Sequence, residues 1–267
     1  MAAKKWMALF LALTAAVGFA GCNKQPATSD GQSDVAYIQD KGKLVVGITD
    51  FKPMDYKDEA GEWIGFDADL AKQVAEKLEV PVEFIEIDWG NKIMELENKS
   101  VDVVWNGMTL NDETRNGMTV TEAYCKNSQV VVMNADKAAD YTDAESMKDL
   151  LFVVEAGSAG EEVATAEGFQ CNSVETQAAA LMEVAAGTSD ACVIDLLMAG
   201  AMIGEGTDYP DLVNVLSLSD EEYGIGCRKG SDLAAYIDGV LDELYADGTL
   251  MELAEQYGVQ KVVLDRE

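Results

Sequence analysis

Val101-Asp102-Val103-Val104-Trp105-Asn106-Gly107-Met108-Thr109-Leu110-Asn111-Asp112-Glu113-Thr114-Arg115 is the stretch whose reading decides the fold. Val101 to Trp105 reads as a short apolar strand. Asn106-Gly107-Met108-Thr109 then opens the chain and exposes backbone and hydroxyl groups. Asp112 and Glu113 follow, placed where the positive end of a helix dipole favours acids. Strand ends in open α/β sheets are where small ligands bind. An ordinary strand-loop-helix joint has the same pattern, so the neighbouring segments must decide.

On the N-terminal side, Leu44 to Ile48 is a buried-strand run, broken by Thr49-Asp50-Phe51-Lys52-Pro53. Phe66, Leu70, Val74 and Leu78 recur at a spacing of four and predict a helix that Pro81 stops. Val82 to Ile87 is a second strand, Asp88-Trp89-Gly90 a loop and Ile93 to Glu97 a short helix. On the C-terminal side, Gln129 to Met133 is a strand and Ser146 to Leu150 a short helix. Leu151 to Glu155 is a further strand. Gly157-Ser158-Ala159-Gly160-Glu161 opens a helix, with Ser158 and Glu161 at capping-box spacing. Glu175 to Ala186 is a helix, Asp190 to Ile194 a strand and Leu196 to Ile203 an apolar helix. Tyr223 to Cys227 is a strand running back. Leu233 to Leu244 marks a long helix, and Thr249 and Glu252 cap the last. This alternation predicts α/β architecture with mainly parallel sheets flanked by helices.

The first 21 residues read as a targeting segment: Lys4 and Lys5, then an apolar run from Trp6 to Val17 too short to span a bilayer. Small residues Ala20-Gly21 precede Cys22, as in a bacterial lipobox, although Phe19 stands where Leu is usual. Cys22 would then carry the lipid, palmitate included; a plain secretory signal with a chance cysteine is the alternative. Residues 22–34 are polar and read as a flexible tether.

Hydrophobic residues make up 48% of the 267, enough for a sizeable core. Lys plus Arg number 19 against 49 Asp plus Glu, a formal charge of -30, which argues against nucleic-acid binding. The absence of histidine removes the commonest general base and transition-metal ligand. The spacing of Cys125, Cys171, Cys192 and Cys227 gives no metal site. No cofactor is expected. The four cysteines allow three complete disulfide connectivities, of which Cys125–Cys227 is the first to test, or they are free buried thiols.

Several stretches together resemble the type 3 extracellular solute-binding proteins, the polar amino-acid receptors of bacterial ABC importers. Gly65-Phe66-Asp67-Ala68-Asp69-Leu70 resembles the family signature. Val101-Asp102-Val103 with Gly107-Met108-Thr109 resembles its ligand-bed strand and loop. Glu155-Ala156-Gly157-Ser158, Ser189 to Asp195, and Tyr223-Gly224-Ile225-Gly226 resemble its second-lobe loop, ligand-binding strand end and return crossover. Order and spacing carry the resemblance, over residues 40 to 260. It implies a two-lobed periplasmic-binding-protein-like fold (type II), joined by two crossover strands with the ligand between. Residues 35–129 and 223–267 would form lobe 1, and 130–222 lobe 2.

The resemblance also assigns roles. Asp195 would pair with a ligand ammonium; an Asp capping the following helix is the alternative. Ser158 sits where helix N–H groups could take a carboxylate, or is a cap alone. Phe51 and Trp89 match positions of aromatic ligand walls, though aromatics are more often core. Trp105 is assigned to core. Gly107 and Thr109 would offer a carbonyl and a hydroxyl. Asp50 and Glu155 are further carboxylates near the site, or solvated surface groups. The family places a carboxylate-clamping Arg five residues after the Thr; here Thr114 holds that place and Arg115 is one further on. A one-residue step turns a side chain by about 100° on a helix. Arg115 is nevertheless carried as the clamp, because a ligand carboxylate in so acidic a protein needs a nearby cation.

The expected function is that of a monomeric, lipid-anchored, extracytoplasmic receptor. It would close its lobes on a free amino acid and deliver it to an ABC permease. The rival is an extracytoplasmic enzyme on the same fold, of cyclic-acid dehydratase type, with Glu155 as its proton-transfer group.

Overall fold

The structure is a computed structural model and describes residues 33–266, so the Cys22 lipobox and the leader lie outside the described residues. In chain order its elements are α1 (Asp34–Lys41), β1 (Leu44–Ile48), β2 (Tyr56–Lys57), β3 (Trp63–Ile64), α2 (Phe66–Lys77), β4 (Val82–Glu86), α3 (Lys92–Glu97), β5 (Val103–Thr109), α4 (Asp112–Gly117), β6 (Thr119–Val120) and β7 (Cys125–Asn134). Then come β8 (Leu151–Glu155), α5 (Ala159–Glu167), β9 (Gln170–Val174), α6 (Gln177–Ala186), β10 (Ala191–Asp195), α7 (Leu196–Met202), β11 (Leu212–Cys227), α8 (Leu233–Asp247) and α9 (Thr249–Gln256).

Among the described residues nine strands join in one sheet, in the order β4-β1-β5-β11-β7-β10-β8-β9, with β6 also on β11. One half is parallel β4-β1-β5, and the other is parallel β10-β8-β9. Between them β7 and β11 run antiparallel to each other and pass from one half into the other. The fold is therefore α/β and two-lobed, each lobe a mainly parallel sheet flanked by helices, with two crossover strands. β1 is buried along its whole length, as strands covered on both faces are. The second lobe has its own core, where Phe152 stacks on Phe169 at 4.2 Å between ring centroids.

The structure departs from the sequence reading in several places. Asn106 to Thr109 is not an open loop: β5 continues through it, with a register shift against β11 between Gly224 and Gly226. Gly107 adopts φ +53°, and a Cβ there would lie 2.4 Å from the Phe51 ring, so the strand kinks where only glycine fits. β11 begins eleven residues before Tyr223: Leu212-Val213-Asn214-Val215-Leu216-Ser217-Leu218 is an apolar, partly alternating run left unassigned by the sequence reading, and the polar residues Ser219 to Glu222 continue the strand by pairing with β7. β9 is a polar edge strand with no apolar signal. Ser33 caps α1 and Asp34 is its buried first residue, so the polar tether stops short of Asp34. Asp34 and Asp102 receive the buried Arg228 guanidinium at 3.1 and 3.3 Å, tying α1 to the sheet. Cys125, Cys171, Cys192 and Cys227 are free thiols, so Cys125–Cys227 is not bridged.

Candidate ligand-binding site

Phe51, Trp89, Gly107, Thr109, Ser158 and Asp195 line one cavity at the junction of the lobes. Four come from the ends of β1 and β5 and from the turn after β4. Ser158 follows β8, and Asp195 ends β10. Asp195 precedes α7, but its side chain makes no cap hydrogen bond to that helix. Its Oδ1 instead accepts from Asn127 Nδ2, from Gln129 Nε2 at 3.0 Å and from Tyr223 OH at 2.5 Å, and its Oδ2 accepts from Gln177 Nε2. Burial and then the neighbouring Glu221 push its carboxyl well above the usual carboxylate range.

Ser158 does cap α5: its Oγ accepts from Glu161 N at 3.1 Å. The reciprocal arm of the capping box is displaced, since Glu161 Oε2 accepts from Gly157 N at 2.7 Å. Phe51 and Trp89 are both buried and belong to core clusters while an edge of each faces the cavity. Trp105 lies wholly in the core. Gly107 is held from behind: its N–H donates to Asp67 Oδ2 at 2.7 Å, and Tyr124 OH donates to the same carboxylate at 2.8 Å. Burial pushes the Asp67 carboxyl up to about 7.

Two expected residues fall elsewhere. Asp50 is exposed and lines an adjoining groove with Glu86, Asp88, Glu175 and Thr176. Arg115 is exposed on α4 and does not line the cavity. The cause is the start of α4. Asn111 and Thr114 form a reciprocal cap, and Thr114 Oγ1 also donates to Thr109 O at 3.0 Å. Thr114, five residues after Thr109, is therefore the buried one, and Arg115 is turned out to solvent.

Sequence reasoning missed Lys92 and the side chains that hold Asp195, Asn127 and Tyr223 among them. Gln129 and Gln177 hold Asp195, and each sits among residues read only as strand or helix. Lys92, the first residue of α3, is 2% exposed, and among the described residues it is the one basic side chain lining the cavity. Its Nζ crosses the cleft to Gly157 O at 2.9 Å, meets Glu113 Oε2 at 3.2 Å, and stands 5.5 Å from the Trp89 ring centre. Glu155 also lines the cavity; burial, only partly offset by Gln177 and Lys92, pushes its carboxyl up to about 8. Its Oε1 and Gln129 Oε1 are buried without a partner.

The lobes are closed. The cavity is about 20 Å³, room for little more than one water. Across the cleft run Lys92 to Gly157 O, Asn111 Nδ2 to Glu162 Oε2 at 2.9 Å, and Lys52 to Asp208 at 3.4 Å. Gly157 (φ +69°) packs against Gly90, and a Cβ on it would lie 2.6 Å from Gly90 Cα. An amino-acid-sized molecule enters only if these contacts separate. They are few and polar, so separation exposes little apolar surface.

A two-lobed α/β protein with a polar, carboxylate-bearing cleft between its lobes is a binding protein of the hinge-closing class. Residues 44–260 match the bacterial extracellular solute-binding proteins, family 3. The chain belongs to that family. It is 28% identical to the arginine-binding extracellular protein ArtP of Bacillus subtilis over 95% of this chain and 98% of the relative. Among solved structures it resembles a mutant of ArgBP from T. maritima, with TM-score 0.78, 32% identity, and 84% and 98% of the two chains covered. It also resembles an ancestral amino acid-binding protein described as a precursor of cyclohexadienyl dehydratase, with TM-score 0.77, 30% identity, and 84% and 99% covered. Among the described residues no helix is long and apolar enough to cross a membrane.

Proposed function

We propose that the protein captures a free amino acid between lobe 1 (35–129 and 223–267) and lobe 2 (130–222) and delivers it to an ABC permease. It does so as a monomer held outside the cell membrane by lipid on Cys22. The observation that carries the reading is the Asp195 carboxylate, which leaves its own helix uncapped and lines the interlobe cavity. A ligand ammonium there satisfies a buried carboxylate that otherwise bears a desolvation cost. Phe51, Trp89, Gly107, Thr109 and Ser158 are the remaining contacts we assign, and Asp50 and Arg115 are outside them. The partnerless Glu155 Oε1 favours a ligand whose side chain is also cationic. ArtP and ArgBP, whose names carry arginine, agree with that preference. Thermal unfolding in the presence of each of the twenty amino acids, cystine and ornithine tests the reading, because a ligand that binds only the folded state raises the melting temperature. The expected result is a rise of several degrees with L-arginine or another cationic amino acid. No rise with any of them sinks the reading.

A second reading is an enzyme of cyclic-acid dehydratase type. Glu155 favours it, because a cleft carboxyl with a pKa of about 8 can donate or accept a proton near neutrality. We favour the receptor, whose ligand is recovered unchanged after prolonged incubation. Conversion of a cyclic acid would establish the enzyme instead.

A further inference from the structure

We propose that Lys92, not a guanidinium from α4, holds the carboxylate of the bound amino acid, an assignment that rests on the amino-acid reading above. An amino-acid carboxylate drawn into a closed cleft needs a cation or a set of N–H donors. Arg115 is turned to solvent, and Thr114, in the helical position facing the site, spends its hydroxyl on Thr109 O and Asn111. Lys92 reaches the cavity from α3 instead and is nearly fully buried.

Its present partners do not explain that burial. An ammonium has three N–H bonds. One meets the neutral Gly157 carbonyl and one meets Glu113, whose side chain is 53% exposed. The third has no hydrogen-bond acceptor among the described residues, and the ammonium otherwise meets only the Trp89 ring, 5.5 Å away on the cavity wall. No direct ion pair joins Lys92 to Glu155 or Asp195 among the described residues. Through Gly157, Lys92 also stands at the start of α5, where Ala159 and Gly160 carry N–H groups that a helix leaves without internal partners. A buried ammonium beside the positive end of a helix dipole is an unfavourable pairing that the half-exposed Glu113 carboxylate offsets only in part until a second anion joins it. A ligand carboxylate is that anion. It accepts from Lys92 Nζ and from the first turn of α5, while Asp195 takes the ammonium. Because Lys92 belongs to lobe 1 and α5 to lobe 2, the carboxylate bridges the lobes, which couples its capture to closure.

A merely mechanical role is the competing account: Lys92 would latch the lobes through Gly157 O and touch no ligand. The two accounts differ in how binding depends on the ligand's carboxylate. Wild type and Lys92→Met are titrated with L-arginine, L-glutamine and L-histidine, each beside its α-carboxamide, at about pH 6.5 so that the α-ammonium stays charged. The expected result is that wild type prefers an acid to its amide. Lys92→Met then weakens the acid by about thirtyfold and leaves the amide within about threefold, so the preference collapses. Lys92→Arg keeps a preference for the acid. Equal weakening of acid and amide overturns the assignment and leaves the amino-acid reading intact. Failure of wild type to bind any of the twenty amino acids, cystine or ornithine overturns both, and if the screen selects an acid other than these three, that acid and its α-carboxamide are titrated instead. Lys92→Gln provides the same comparison if the Met variant does not fold.

Discussion

Replacing Glu155 by glutamine removes a group whose protonation should make this fold pH-sensitive. Burial raises the carboxyl from an ordinary value of 4.5 to about 8. Between those values the folded state holds a proton that the unfolded state has released. The stability this proton contributes is full below about pH 4.5 and is lost as pH rises through about 8. The rise corresponds to about 5 kcal/mol at the limit. Local relaxation and water entry bring the expected effect to the order of 2–3 kcal/mol. At about 2–4 °C per kcal/mol for a chain of this size, wild type should lose roughly 5–10 °C relative to Glu155→Gln between pH 5 and pH 8.5. Asp55, Asp67 and Asp195 are raised by burial too, but both proteins carry them, so they cancel in the comparison. Thermal unfolding of both proteins at pH 5, 6.5 and 8.5 measures it. A difference between them that does not change with pH would refute the buried, proton-holding carboxyl. The same group gives a binding signature. At pH 7 it is roughly nine-tenths protonated before binding. A cationic side chain placed against it should therefore expel close to one proton. Calorimetry with L-arginine in phosphate and in Tris reads total proton release, and Glu155→Gln should lower it by close to one, any release from Asp195 being common to both proteins.

Asp195→Asn should weaken binding of an amino acid by about 2–5 kcal/mol, at least about thirtyfold, while the chain still folds, because the change also relieves repulsion from Glu221. Calorimetric affinity within threefold of wild type would take Asp195 out of the site. Arg115→Ala and Arg115→Lys should each change affinity by less than about 1 kcal/mol, the scale of an exposed charge; a larger loss in both would return the clamp to α4. Arg228→Met leaves Asp34 and Asp102 buried without their guanidinium and should cost about 3–5 kcal/mol of stability in denaturant titration. An unchanged unfolding midpoint would mean that this network holds nothing together. Cys22→Ser should release the protein into the medium, and a variant that still fractionates with membranes would end the lipobox reading.

Much of the fold can be read from local sequence, whereas the candidate site residues were chosen through the family resemblance. Runs such as Leu44–Ile48 and Ala191–Asp195 are apolar because they lie in the middle of a sheet covered on both faces, and that burial is written into each residue. Asp195 was reached through the family resemblance, which implies a ligand-binding Asp at the end of the Ser189 to Asp195 stretch; its place at a strand terminus, where ligands bind in open α/β sheets, agrees with that. Ser158 carried its cap signal within four residues.

The remaining features depend on contacts between distant residues. β9 and the polar stretch of β11 from Ser219 to Glu222 are strands because β8 and β7 offer them backbone partners, and pairing of that kind leaves no period in a polar segment. Whether Thr114 or Arg115 faces the site was a question of helix phase, decided by the reciprocal cap between Asn111 and Thr114. Lys92 shows the limit most sharply. A lysine at the start of a short helix reads as a solvated charge, and nothing within ten residues of it says otherwise. It is buried because Gly157, 65 positions away, closes over it from the other lobe. Sequence alone determined which segments are core, while β5 and β7 run on past the ends read for them. The docking of one lobe on the other decided which charges lie inside, because burial of a long, flexible side chain is a property of the surface that covers it.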